Sequence, residues 1–169
     1  MEWETHFARA LKAASIQMVS YVPDEVTADL LTLLEQDEAL TVVPVTREEE
    51  GVAVLAGGYL GGKRGALILQ GSGLGNSLNA LGSLAVAAQI PMLLVISERG
   101  RLGEFNPAQI PLGRAAPAIL EALGIQSFTI AAQEDIEAIV GGSVNLAFSG
   151  GVPTAVFLTP RLTGGKHPR

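Results

Sequence analysis

Three consecutive carboxylates, Glu48, Glu49 and Glu50, follow Thr46-Arg47 and precede a run of small residues that ends at Gly57-Gly58-Tyr59. A carboxylate at the head of a helix is a ready general acid or base when a proton must move at a bound ligand. Further on, Gln70-Gly71-Ser72-Gly73-Leu74-Gly75-Asn76 joins an apolar strand to a helix. Free amides at such a helix start attract anions. Arg47, Arg99, Arg101 and Arg114 lie in or near loops at the same expected edge, where guanidinium groups can hold an anionic substrate. Each feature also has a plainer reading. Thr46 and Glu49 fit a capping box, with Thr46 as N-cap and Glu49 reaching back from the third helical position. Acids in a first turn also suit the helix dipole. The glycine run is neither G-x-G-x-x-G nor a Walker loop, and Asn76 and Ser77 serve equally as caps. Arginines in loops are solvated by default. His6, on an amphipathic helix, and His167, in the tail, stand far from these loops.

The elements that must position these residues alternate between strand and helix. Trp3, Phe7, Ala10, Leu11 and Ala14 recur at helical spacing, predicting a helix over 4–15. A strand follows over 16–21 and ends at Val22-Pro23-Asp24, where Asp24 can cap a helix over 25–35. The apolar run 40–45 reads as a strand covered on both faces. A helix over 47–61 and a strand over 65–69 come next. After the turn 70–76 the pattern predicts a helix to residue 88, a strand over 91–96 and a long loop over 97–111. A short helix around 115–123, a strand over 126–130, a helix over 134–148 and a strand over 152–158 complete the series. Such alternation predicts an α/β three-layer sandwich with a six-stranded parallel sheet. In sheets of this kind ligands sit beyond the carboxyl ends of the strands. That edge gathers Pro23–Asp24, Thr46–Glu50, Gln70–Asn76 and Ser97–Pro111, whereas Lys63 and Arg64 fall at the opposite one. Residues 1–160 read as one domain and 161–169 as a C-terminal tail.

The composition narrows the possible functions. The 169 residues are 48% hydrophobic and only 17% charged, which suits one domain with a sizeable core. A net charge of −6 without any basic run disfavours nucleic acid as a partner and fits a cytoplasmic protein. There is no cysteine, so thiolate chemistry and disulfides are excluded. No apolar run approaches the roughly 20 residues of a membrane span, and the acidic N-terminus resembles no leader. In the 47–61 helix, Gly51, Gly57 and Gly58 each cost about 1 kcal/mol relative to alanine. With Ala53 and Ala56 they form a thin face suited to another backbone, and self-association as a dimer or higher is expected.

Four stretches together resemble one family: VPDE at 22–25, EEEGVAVLAGGYLGGK at 48–63, QGSGLGN at 70–76 and SERGRLGEFNPAQIPLGRA at 97–115. They are similar to the pyrimidine-binding (PYR) domain of thiamine-diphosphate-dependent decarboxylases, in particular those acting on sulfopyruvate or phosphonopyruvate. The resemblance runs from about Phe7 to Leu158, and its most specific mark is Glu49 followed nine positions later by Gly58-Tyr59. It implies a six-stranded parallel sheet and gives Glu49 the role of the activating glutamate. That carboxyl group bonds a ring nitrogen of the cofactor's aminopyrimidine and favours its imino form. Pro23 and Asp24 are implied near the thiazolium and substrate, and Gly73, Leu74 and Asn76 near the pyrimidine. Glu48 and Glu50 have no family role. The family holds the diphosphate and Mg2+ on a second domain marked by Gly-Asp-Gly, and this sequence contains no Gly-Asp. The resemblance therefore implies a beta subunit as partner, with no metal ligand in this chain. Arg99 and Arg101 are the expected contacts for a second anionic group on a 2-oxo acid substrate. A non-catalytic homologue with a structural or regulatory role, and a flavodoxin-like module binding a nucleotide at Gly71–Asn76, remain as alternatives.

Overall fold

In the computed structural model, which describes residues 2–166, six short segments lie side by side in one parallel sheet. They are β1 (Met18–Tyr21), β2 (Thr41–Pro44), β3 (Gly65–Gln70), β4 (Leu93–Ser97), β5 (Gln126–Ile130) and β6 (Thr154–Leu158). Their order across the sheet is β2-β1-β3-β4-β6-β5. The α/β sandwich with six parallel strands is thus the one expected. Because side chains alternate along a strand, the four inner strands feed two cores. Val19, Ala66, Ile68, Val95, Val156 and Leu158 face α1 (Glu2–Ala13), α2 (Ala28–Glu35) and α6 (Ile136–Gly150). Leu67, Leu69, Leu94, Ile96, Ala155 and Phe157 face α3 (Glu48–Leu60), α4 (Gly71–Ala80) and α5 (Ile110–Ala122).

Three local expectations change. The strand at 41–44 is an edge strand whose residues are half-buried or exposed, not covered on both faces. Its apolar run reflects β-branched propensity as much as burial. Asp24 precedes a 3-10 turn, Glu25–Thr27, but its side chain makes no cap bond. The segment Gly71–Asn76 is not a turn at all. It is the opening of α4, which begins directly after β3 and runs on through a π-helical stretch, Leu81–Val86. None of Gly71, Gly73 and Gly75 has a positive φ. At two of them neighbours come close, Gly75 against Leu112 and Gly73 against the Glu48 side chain, whereas a Cβ on Gly71 would meet Ser97 and Arg99 only at ordinary contact distance.

The small residues of α3 serve a similar end within the chain. A Cβ on Gly51 would lie 2.5 Å from Leu67 Cδ1, and one on Gly58 2.5 Å from Met18 Sδ. Gly51 and Gly58 thus let α3 rest on β1 and β3 of the same chain, while Ala53 and Gly57 of the thin face stay exposed. Gly57 alone of the three meets nothing within 4 Å. The last described segment, a short helix α7 (Pro160–Thr163) with Gly164–Lys166, turns back over the carboxyl edge of the sheet. His167 lies outside the described residues.

Two glycine substitutions separate these roles. A methyl on Gly113, in α5, would overlap the backbone carbonyl of Arg99, which cannot swing aside as a side chain can. Gly113→Ala should therefore lower unfolding free energy by about 1–3 kcal/mol. Gly57→Ala, in open space within a helix, should raise it by about 0.5–1 kcal/mol. Urea unfolding of both variants checks the contrast.

Candidate active site at the carboxyl edge of the sheet

The segments that follow β1, β2, β3, β4 and β6 converge at one edge, and the parallel topology alone brings their side chains together. At its left end the first turn of α3 packs on the first turns of α4. Glu48 is buried there, its carboxylate against Gly73, and Asn76 Nδ2 donates to Glu48 Oε2 at 3.0 Å. Glu50 points the other way: its Oε2 accepts from the amides of Thr46 at 2.9 Å and Arg47 at 3.4 Å. The capping interaction thus exists one residue later than the Thr46/Glu49 spacing suggests, with Arg47 as the N-cap residue.

This shift releases Glu49. Its Oε1 pairs with Arg47 Nε at 2.6 Å, on a guanidinium that is 63% exposed. Its Oε2 is buried and has no hydrogen-bond partner among the described residues. An exposed ion pair contributes little, typically ~0–1 kcal/mol, so Arg47 is a weak hold. A buried acceptor without a donor is costly unless a ligand supplies one. Of the three acids, only Glu49 has this vacancy for a donor.

The middle of the edge is a polar network. Ser97 Oγ donates to Asp24 Oδ2 at 2.8 Å, and Lys166 Nζ lies 2.5 Å from Asp24 Oδ1. Lys166 also donates to Gln70 Oε1 at 3.0 Å, and Arg99 Nη1 donates to the same oxygen at 2.8 Å. Gln70 Nε2 in turn donates to Ser72 Oγ at 2.6 Å. Pro23 is exposed beside Asp24, and Leu74 is fully buried in the second core, leaving only its backbone to face a ligand.

Arg99 and Arg101 behave differently. Arg99 is buried and binds Glu104 through two bonds, Nε to Oε2 at 2.7 Å and Nη2 to Oε1 at 2.8 Å. Glu104 also accepts from the amides of Gly100 at 2.9 Å and Asn106 at 3.0 Å. The Arg99 hydrogen bond, then these amides, hold its carboxyl down at about 2 against the opposing effect of burial. Arg99 is thus committed to fixing the loop 98–106. Arg101 is half-exposed, 3.6 Å from Glu98. Arg114 is exposed, away from this network.

Gly73 and Asn76 meet the first turn of α3 through Glu48, the neighbour of Glu49, while Asp24, next to Pro23, shares Lys166 with Gln70. Sequence reasoning missed Gln70, Ser97, Glu104 and Lys166. Gln70 and Ser97 end adjacent parallel strands, β3 and β4, which is the signal that marks such positions. Lys166 carries no local signal, since it meets Asp24 only through the fold.

An α/β sheet with its polar residues gathered at the carboxyl edge, around a carboxylate with one oxygen unpartnered among the described residues, is the build of a ligand-binding domain. Residues 1–105 match the family model for the thiamine pyrophosphate enzyme, N-terminal TPP binding domain. The chain belongs to this family. It is 38% identical over 150 residues to the sulfopyruvate decarboxylase subunit alpha of Methanococcus maripaludis, covering 89% of this chain and 90% of that one. It is 45% identical over 119 residues to the subunit of that name in Methanocaldococcus jannaschii, covering 70% of each. A phosphonopyruvate decarboxylase of Streptomyces viridochromogenes is 38% identical over 112 residues, 66% of this chain and 28% of that protein. Among solved structures, a 2-oxoglutarate:ferredoxin oxidoreductase from Magnetococcus marinus superposes with a TM-score of 0.79 at 17% identity. It covers 96% of this chain, which spans 29% of that one, and the likeness is one of fold.

The Glu104 cluster gives a pH prediction. A carboxyl depressed from 4.5 to about 2 adds stability that is present above its unfolded value and lost as pH falls through the folded one. Unfolding free energy should therefore drop between about pH 4.5 and 2, and Glu104→Gln should lose less over that range than the parent. Parallel slopes for the two proteins in acid denaturation would contradict this account of Glu104.

Proposed function

We propose that this chain is the pyrimidine-binding, alpha subunit of a thiamine-diphosphate-dependent decarboxylase acting on sulfopyruvate or phosphonopyruvate. The family match and the sulfopyruvate decarboxylase relatives support the class. The observation that carries the site is the buried, unpartnered Oε2 of Glu49, beside two neighbouring acids that are already engaged. An orphaned acceptor of this kind fits a ligand ring nitrogen that brings a proton. When bound, the cofactor supplies the electron sink for loss of carbon dioxide from a 2-oxo acid.

The rest is work for the chain's own side chains. Glu49 holds and exchanges a proton at Oε2. Glu48, fixed by Asn76 and pressed on Gly73, sets the α3 turn so that Glu49 faces the ligand. Gly73, the Leu74 backbone and Asn76 border the pyrimidine, while Pro23 and Asp24 border the thiazolium and substrate. The diphosphate and Mg2+ belong, in this reading, to a beta subunit carrying Gly-Asp-Gly. The chain acts as a single PYR-type domain in a cytoplasmic heteromer. Ala53, Gly57 and Leu60, outward on α3, offer a face for that assembly or for self-association.

Glu49→Gln, tested in the complete heteromer, should lower kcat by about 10²–10⁴-fold with little change in unfolding midpoint. Glu48→Gln and Glu50→Gln should cost less. Equal losses in all three, or an active Glu49→Gln, would overturn the assignment. The purified chain alone should bind thiamine diphosphate with Mg2+ weakly and show no 2-oxo acid consumption, both being restored by the beta subunit. Tight Mg2+-dependent binding to the single chain in calorimetry would place the diphosphate site here instead.

A further inference from the structure

Between the loop 98–104 and the returning segment Pro160, Gly164–Lys166 lies a cavity of about 190 Å³. Three cations border it, and they are not equivalent. Arg99 is spent on Glu104 and Gln70. Arg101 has one loose partner, Glu98, and its other donors are unpaired among the described residues. Lys166 uses two of its three N–H groups, on Asp24 and Gln70, and the third has no partner among the described residues.

The position of Lys166 is built. Gly164 and Gly165 both adopt left-handed backbone, φ 80° and 69°, a conformation that glycine adopts without strain. Thr163 Oγ1 accepts from the Gly165 amide at 3.2 Å, and a Cβ on Gly165 would lie 3.2 Å from Pro160 Cβ. This double reversal carries the chain back across the edge and drops the ammonium onto Asp24. Across the cavity, Gly100 (φ 73°) and Gly113 lock the loop backbone against α5, so both walls are preformed. Glu98, the loose partner of Arg101, lines the same cavity; burial pushes its carboxyl up, and the Arg101 charge offsets part of this.

We infer that Lys166 is a specificity-determining residue whose third N–H, with Arg101 facing it, receives the tetrahedral oxyanion on carbon 3 of the substrate. This rests on the proposed function and deepens it. Asp24 and Ser97 then hold Lys166 in place, and the 2-oxo acid end points from Asp24 toward Glu49 along the same edge. The expected second cation is Lys166 in place of the committed Arg99.

The test uses the heteromer with its beta subunit. Lys166→Met should raise KM for sulfopyruvate about tenfold more than KM for pyruvate, which lacks the group, and Lys166→Arg should recover most of the difference. Phosphonopyruvate in the same assay tells which oxyanion is preferred. Calorimetry with 3-sulfolactate, the 2-hydroxy counterpart that cannot decarboxylate, gives a readout independent of turnover. Its Kd should weaken about tenfold in Lys166→Met, whereas binding of lactate, which lacks the group, should be unchanged. Equal losses on sulfopyruvate and pyruvate, or unchanged 3-sulfolactate binding, overturn the inference. A parent heteromer that turns over no 2-oxo acid sinks the proposed function, and 3-sulfolactate binding still decides Lys166.

Discussion

The contact on which the candidate site depends is the one between the Glu48 carboxylate and Gly73. Two helices that start from neighbouring strands, α3 and α4, have their first turns pressed together there. Any side chain at position 73 would overlap Glu48, so the glycine is a steric requirement of the approach rather than of backbone dihedrals. Asn76, one turn on, closes the contact with a hydrogen bond. With Glu48 held inward and Glu50 turned back to cap, helical geometry leaves Glu49 only one direction, between them. The orphaned oxygen is a result of that constraint, and a ligand donor would relieve it.

Glu104 has a comparable part on the other side of the edge. One carboxylate collects a guanidinium fork and two amides, and so turns a long loop into a fixed wall. Charge-assisted bonds of this kind are the stronger ones, and a bidentate pair also fixes orientation. Rigidity here suits recognition, because a preformed wall loses little freedom when a ligand arrives.

Much of the architecture was legible in the sequence, and the failures have physical causes. Periods of 3.6 and 2 in the apolar residues mark six strands and their helices, since parallel strands buried on both sides read as continuous runs. The same rule misleads at 41–44, because β-branched residues also favour an exposed edge. Glycine is ambiguous in one dimension. Gly71, Gly73 and Gly75 read as a turn, yet they are helical, and Gly73 and Gly75 lack side chains for the sake of neighbours distant in sequence. The acidic triplet was legible as a site, but which acid caps depends on where α3 begins, by a single residue. Arg99 drew attention as a free cation because Glu104 was not recognisable as its partner across a loop. Lys166 was invisible, since only the assembled sheet brings it to Asp24.

The strand order has a consequence for how such a site comes into being. β5 is bonded to β6 alone, and β6 lies between β4 and β5 although it is the last strand to be made. During synthesis β5 therefore emerges with no strand to pair with, and the right side of the sheet stays open until residue 158 is available. The Glu98 amide donates to Leu158 O, and Lys166 reaches Asp24 still later. Both walls of the cavity are thus completed from the far end of the chain. A nascent chain carries every residue of the acidic turn long before the edge that faces it is complete.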